Sequence, residues 1–377
     1  MRILLIGEYS NVHYTLAKTL RKSGHEVLLV SDGDGWKNYP RDIDVSRRHR
    51  GIIGSICLRL KWLWYLRKLK GYDVVHLINP HFTDMAPSYD KKITDYLAHH
   101  NRHLTLGLYG DDYVVMKGQG DGILEYSDTW AYGKEINTET EKARIHAWTV
   151  SCKNVCNECT AKAEALIAGL YEYYYLYDKS LDNVSRKKLH YINFPIDIDE
   201  SDMLASKENK STDDKRIKIL ISINKKRAKQ KGTDQIIALF SRLGSEHPDK
   251  VSLLKAENVP FAEYQKMIAS ADVIADQMYS YTPAMNALEG MAQGKVVVSG
   301  GEEEFYDFIG ENDLRPIINL RPFHDEENYR ILEETILNKS LIEKMKLEAR
   351  QFINKYHDSQ KIAQQYIDLW NRLNYPS

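Results

Sequence analysis

Residues 270–300 read SADVIADQMYSYTPAMNALEGMAQGKVVVSG. Val273 to Ala275 is a short apolar run, which predicts a buried strand. It leads into a loop holding Pro283. The spacing then predicts a short helix that carries Glu289 and stops at Gly294, and a second apolar strand, Val296 to Val298, follows. Proline suits the opening of a helix. A helix that opens directly after a strand presents unpaired N–H groups and positive dipole charge to a phosphate. Ala284, Met285 and Asn286 lie where those amides would sit, and Glu289 could accept hydrogen bonds from ribose hydroxyls.

The same strand-then-helix alternation extends outward in both directions. Arg2 to Ile6 reads as a first strand, and Val12, Leu16 and Leu20 recur at helical spacing before Ser23-Gly24. Val27 to Val30, Val74 to Ile78 and Leu104 to Leu108 continue the pattern, which predicts a parallel sheet. The last two end in the polar loops NPHFTD and YGDDY, and ligands of open α/β sheets bind at such strand ends. Residues 196–215 are polar and acidic and read as a domain boundary. A second set opens with the strand Ile217 to Ile223 and the basic loop NKKRAKQKG, residues 224–232. With 377 residues, two domains are expected.

Composition narrows the function classes. The formal net charge is −1, so no global charge favours nucleic acid. No apolar run reaches bilayer-spanning length. The opening MRILLIG is too short for a signal peptide and is followed at once by Glu8, which suggests a cytoplasmic chain. Cys152, Cys156 and Cys159 have a spacing open to three readings: an iron–sulfur loop, a zinc site with His146, or buried reduced thiols.

The order of residues in 270–300 resembles the donor-site motif of retaining GT-B glycosyltransferases of the large family 4 type. In that pattern a Glu is followed, after seven intervening residues, by another Glu, amid small residues, then Gly and an apolar strand. The resemblance implies two Rossmann-like doubly wound α/β domains facing an interdomain cleft. Residues 1–205 would form the acceptor domain and 206–355 the nucleotide-sugar domain, with 356–377 a helix returning to the first. Glu289 matches the second Glu; Tyr281 stands where the first should be. Lys231, directly before Gly232, matches the family's diphosphate-binding Lys, and Lys226 occupies the family's Arg position. LTLGLYGDDY resembles the family strand ending in His-Gly-Ser/Thr-Asp, with Tyr109 in place of His and Asp112 matching the Asp. Asp112 could equally cap a turn.

What this implies is sugar transfer with retention, from a nucleotide sugar to a glycan or lipid-linked acceptor, in envelope polysaccharide synthesis. Lysines and a helix dipole would do the charge work, so no metal and no cofactor are expected. Glu8, Tyr9, Ser10 and His13, in the first strand's loop, are candidates for acceptor or phosphate contact. That loop lacks the G-x-G-x-x-G fingerprint of NAD binding. A nucleotide-sugar epimerase and an inactive sugar-nucleotide-binding subunit are the alternatives. Finally, residues 47–70 contain eight Lys/Arg and no acid, interleaved with Ile, Leu and Trp. That mixture suits either an ordinary packed helix or a peripheral contact with an anionic membrane.

Overall fold

The computed structural model describes residues 1–49, 51–127, 130–206, 214–223, 228–257 and 259–374. In chain order the strands are β1 (Arg2–Ile6), β2 (Glu26–Ser31), β3 (Ile43–Asp44), β4 (Val74–Leu77), β5 (His103–Leu108), β6 (Trp130–Ala131) and β7 (Lys134–Glu135). They continue as β8 (Ala165–Ala168), β9 (Leu189–Tyr191), β10 (Ile217–Ile223), β11 (Val251–Glu257), β12 (Val273–Ala275), β13 (Val296–Val298) and β14 (Ile317–Ile318). The chain is α/β, with two open parallel sheets flanked by helices.

The chain divides into two compact units. The first comprises Met1–Asp121, Glu139–Pro195 and Ser359–Ser377; the second comprises Gly122–Thr138 and Ile196–Asp358. The first holds a seven-stranded sheet in the order β3-β2-β1-β4-β5-β8-β9. Strand β1 is its pivot, pairing in parallel with β2 on one side and β4 on the other. Ile3 to Ile6 are wholly buried there because helices cover both faces of the sheet. Helix α1 (Val12–Lys22) buries Val12, Leu16 and Leu20, the residues its spacing marks. Each such side chain contributes about 2 kcal/mol of burial free energy.

The second unit has a five-stranded sheet, β11-β10-β12-β13-β14. Ile219, Ile221, Val273, Val296 and Val298 pack there with Ile236, Leu239 and Phe240 of the helix Thr233–Glu246. In both sheets the strand order reverses once, between β1 and β4 and between β10 and β12. Loops diverge at a reversal, which opens a crevice beyond the carboxyl ends of the strands.

Three boundaries differ from the sequence expectation. Residues 198–206 form a helix (Ile198–Ser206) packed on Met285–Ala292, where a linker was expected. The first division therefore falls at Pro195, not at 205. There the Ile196 N–H donates to the His357 carbonyl at 2.7 Å, which ties the two chain crossings together. Gly122–Thr138, although early in the sequence, belongs to the second unit. The C-terminal segment leaves that unit after Asp358, and its helix Ser359–Leu373 packs on α1.

Candidate functional site

In the second unit the reversal joins the loop after β10 to the loop after β12. Gly232 adopts φ +65°, and a Cβ there would meet the Met278 Cβ at 2.9 Å, so only glycine lets the two loops approach. Lys231 sits just before it. Its carbonyl accepts the Met278 N–H at 2.9 Å, and its Nζ donates to Asp276 Oδ1 at 3.1 Å. Asn286 Nδ2 donates to the same oxygen at 3.0 Å. Asn286 Oδ1 in turn accepts from the Tyr264 hydroxyl at 2.5 Å, and that hydroxyl meets Ser222 Oγ at 2.8 Å. Asp276 is buried, and its Oδ2 has no hydrogen-bond partner among the described residues. An unsatisfied buried carboxylate oxygen is costly unless something polar fills the space beside it.

Asn286 lies in the first turn of the helix Met285–Ala292, whose N-cap is Ala284 with extended backbone and no side-chain cap. The first-turn amides are thus left for another acceptor. Glu289, half-buried, stands three residues beyond Asn286, on the same helix face. Burial, and then the charges of Asp276 and, least, Glu289, push the Tyr264 phenol up from its ordinary value. The structure therefore brings Lys231 and Asn286 onto one buried carboxylate, with Ala284, Met285 and Glu289 on the same helix as Asn286. Lys226 lies outside the described residues.

Tyr281 is buried in the second unit. Its ring stacks on Tyr126 with centroids 4.7 Å apart, and its hydroxyl accepts the Glu125 N–H at 3.2 Å. Tyr126 donates to buried Glu302, which also accepts from Asn319 at 2.7 Å and Arg321 at 3.0 Å. Glu125 and Tyr126 thus engage the position where the resemblance calls for a sugar-binding Glu.

In the first unit the reversal joins the loops after β1 and β4. Glu8 caps α1: Oε2 accepts the Tyr14 N–H at 2.8 Å and Oε1 the His13 N–H at 3.3 Å. Burial is the main force raising its carboxyl to about 8. His13 is buried, donates from Nδ1 to the Gly7 carbonyl at 2.9 Å, and is driven down to about 3 by burial. Ser10 is held by Asp34 and Lys37. These contacts make Glu8, Ser10 and His13 supports of the loop. The Tyr9 hydroxyl donates to the His81 carbonyl at 2.9 Å, which links the two loops.

Tyr109 and Asp112 are likewise buried and hydrogen-bonded. The buried Tyr109 hydroxyl meets His76 Nε2 at 3.2 Å and the Tyr366 hydroxyl, so it ties β5 to the C-terminal helix. Asp112 Oδ1 caps the helix Tyr113–Gly120 through the Val115 N–H, and Oδ2 accepts from Tyr177 at 2.6 Å. Burial raises its carboxyl to about 6.

His81 was not singled out from the sequence, although its loop was. Nδ1 donates to Asp90 Oδ2 at 2.5 Å, and the Thr83 hydroxyl donates to Asp90 Oδ1 at 2.6 Å. Asp90 is fully buried on helix α3 (Pro87–His100), while the His81 side chain is 22% exposed. Its Nε2 makes no hydrogen bond among the described residues. Beside it, the buried Asn79 has an Nδ2 with no partner among the described residues, which would lie 3.1 Å from a Cβ at Gly110. A carboxylate-oriented imidazole with one open nitrogen can receive a hydroxyl and its proton.

For metals, the described residues offer one group of three close ligand atoms, on Glu246, His247 and Glu333, remote in sequence from both loops. Glu246 is already engaged by Arg242 and Tyr329. Cys152, Cys156 and Cys159 are buried thiols. Cys156 contacts Tyr177 and Cys159 contacts Thr94. Burial pushes Cys159 up to about 12, which disfavours the thiolate a metal would need.

The fold is that of the GT-B glycosyltransferases, as solved structures of similar shape show over the full length of the chain. The Anabaena protein Alr3699/HepE, solved with UDP and glucose, is 13% identical, with 98% of this chain and 99% of that chain covered and a TM-score of 0.61. Sucrose-phosphate synthase from Thermosynechococcus elongatus is 13% identical, with all of both chains covered and a TM-score of 0.62. A putative UDP-N-acetylglucosamine 2-epimerase from Listeria monocytogenes is 11% identical, with 100% and 96% covered and a TM-score of 0.56. No protein-family model and no curated protein matches the chain.

Proposed function

We propose that the chain is a glycosyltransferase. It moves a hexose from a nucleotide sugar to a glycan or lipid-linked acceptor, in envelope polysaccharide synthesis, and needs no metal or cofactor. The observation that carries this reading is the meeting of Lys231, Asp276 and Asn286 at an uncapped helix start, with Glu289 on the same face. A diphosphate placed there accepts the first-turn amides and competes with Asp276 for the Lys231 ammonium. Glu289 receives ribose hydroxyls. As the sugar–phosphate bond breaks, charge grows on the leaving oxygen, and the ammonium and amides stabilise it. In the retaining course that the resemblance implies, the acceptor oxygen bonds to the anomeric carbon and its proton passes to the departing phosphate.

A second stereochemical reading rests on the His81–Asp90 pair. Here Nε2 takes the acceptor proton, attack comes from the face opposite the phosphate, and configuration inverts. The anomeric configuration of the product, read by NMR, separates the two. UDP sugars lead the list of donors because the HepE structures hold UDP, glucose or UDP-glucose. An epimerase shares the fold, so incubation with donor alone is the control: isomerised donor without acceptor would replace the transferase reading. The main test is thermal stabilisation of the chain by UDP, GDP, CMP and dTDP compounds. A shift with one nucleotide class that disappears in Lys231→Ala supports the site; no shift with any of them sinks it.

A further inference from the structure

Helix α2 (Gly51–Leu66) turns its apolar residues the wrong way for a soluble protein. It buries Gly54, Leu58 and Trp62, one stripe at i, i+4, i+8. Ile56 and Leu60, two residues either side of Leu58, point away from that stripe, because each residue advances the helix by about 100°. Ile52, Ile53 and Ile56, with Leu60, Leu63 and Trp64, form an outward face whose members are between 48% and 81% exposed. A helix that is hydrophobic all round belongs in a core or a bilayer, not in water. Such a contiguous exposed patch marks an interaction surface.

Charge selects the partner. Residues 47–70 carry eight Lys/Arg and no Asp or Glu. Arg47, Arg48 and Lys61 lie within 4 Å of Asp84 or Asp44. Arg59, Arg67, Lys68 and Lys70 have no carboxylate partner among the described residues. Arg59 sits over the Tyr89 ring and Lys68 over the Trp64 ring, so both cations flank the apolar face. A symmetric contact between two copies would press these like charges together. An anionic lipid surface instead offers phosphates to the cations and acyl chains to the isoleucines and Trp64.

We propose that α2 is an interfacial helix that docks the first unit on an anionic bilayer. The helix also fixes what lies at that surface. Trp62 packs against Phe82 with ring centroids 6.1 Å apart, Arg47 reaches Asp84 at 3.8 Å, and Arg59 covers Tyr89. All three partners lie on the segment carrying His81 and Asp90. Docking therefore sets the His81 loop beside the lipid headgroups. On the transferase reading, with which this last step stands or falls, the acceptor is an amphiphile whose glycan head sits at the membrane surface.

The test is co-sedimentation of the full chain with vesicles of phosphatidylcholine alone and of phosphatidylcholine with one-quarter phosphatidylglycerol. We expect binding to the anionic vesicles, weakened by salt, and little to the neutral ones. Ile53→Glu with Leu60→Glu should abolish it. Reversing Arg67, Lys68 and Lys70 to Glu should weaken it on the order of a hundredfold, as three cations are lost. All five residues are exposed, and circular dichroism checks that each variant folds. A wild-type chain that stays in the supernatant with anionic vesicles overturns the proposal. So does equal binding to neutral vesicles, or a dimer by light scattering that Leu60→Glu dissociates without altering vesicle binding. The assay contains no nucleotide, so its failure is separate from failure of the donor site, which thermal stabilisation reads.

Discussion

The two sheet reversals occupy the same place in their respective units and carry opposite chemistry. The β10/β12 loops gather a lysine, an asparagine and an uncapped helix start around Asp276. The β1/β4 loops gather an oriented histidine, and their helix α1 is already capped by buried Glu8. One helix start is left open to an outside anion; the other is closed by an internal carboxyl group. Topology sets where a crevice forms, and capping decides whether it invites phosphate.

The largest effect that could break this contrast is on donor binding. Lys231→Ala should weaken a nucleotide diphosphate roughly a hundredfold by calorimetry, since a charge-assisted contact is lost. Unchanged affinity would remove the open helix start from the donor site. Next, His81→Gln should lower transfer about tenfold in a retaining enzyme and a hundredfold or more in an inverting one. Donor affinity should stay at the wild-type value, and a parallel loss of it would blur the two loops into one role. Glu289→Ala should cost donor affinity about fivefold to tenfold, read with the nucleotide against a ribose-lacking analogue.

The closed helix start makes a stability prediction. The Glu8 carboxyl is raised to about 8 from an ordinary 4.5, so the folded chain holds an extra proton between those values. Its contribution is full below pH 4.5 and is lost as pH rises through 8. Glu8→Gln should flatten the fall in melting temperature between pH 4.5 and 8, by a few °C. His13 acts in the opposite sense. Its depressed value means stability is lost as pH falls from 6.5 towards 3. The smallest effect is expected from Tyr281→Phe. Its hydroxyl is held by the Glu125 N–H, so donor affinity should change less than about threefold. A tenfold loss would reinstate Tyr281 as a sugar contact.

Much of the frame was legible. β1, β10, β12 and β13 fall where short apolar runs placed them, because strands buried on both faces leave little else to choose. The helix start at Ala284 was signalled by Pro283 and by the strand before it. Asp276 lies in the quoted stretch, but nothing local marks it as the shared acceptor. Ser222 and Tyr264, which complete its network, left no local signal because they come from a different strand and helix. His81 was hidden for the same reason. Its partner Asp90 is nine residues away, at no spacing that periodicity marks. Matching a motif position does not reveal exposure: Tyr109 and Tyr281 stand where the resembled family has ligand-contacting residues, and both are buried.

The sequence by itself determined the two parallel sheets, the helix that opens onto the β12 loop and the basic-apolar character of residues 47–70. Each is written in neighbouring residues, where burial period and backbone preference act over a turn or a strand. Only the tertiary structure decided that Lys231 and Asn286 share one oxygen and that Tyr126 closes over Tyr281. It also decided that Tyr109 meets Tyr366, 257 positions along the chain. It decided, too, which side of α2 faces solvent. Those outcomes depend on which surfaces remain uncovered after packing, and no local pattern carries that information.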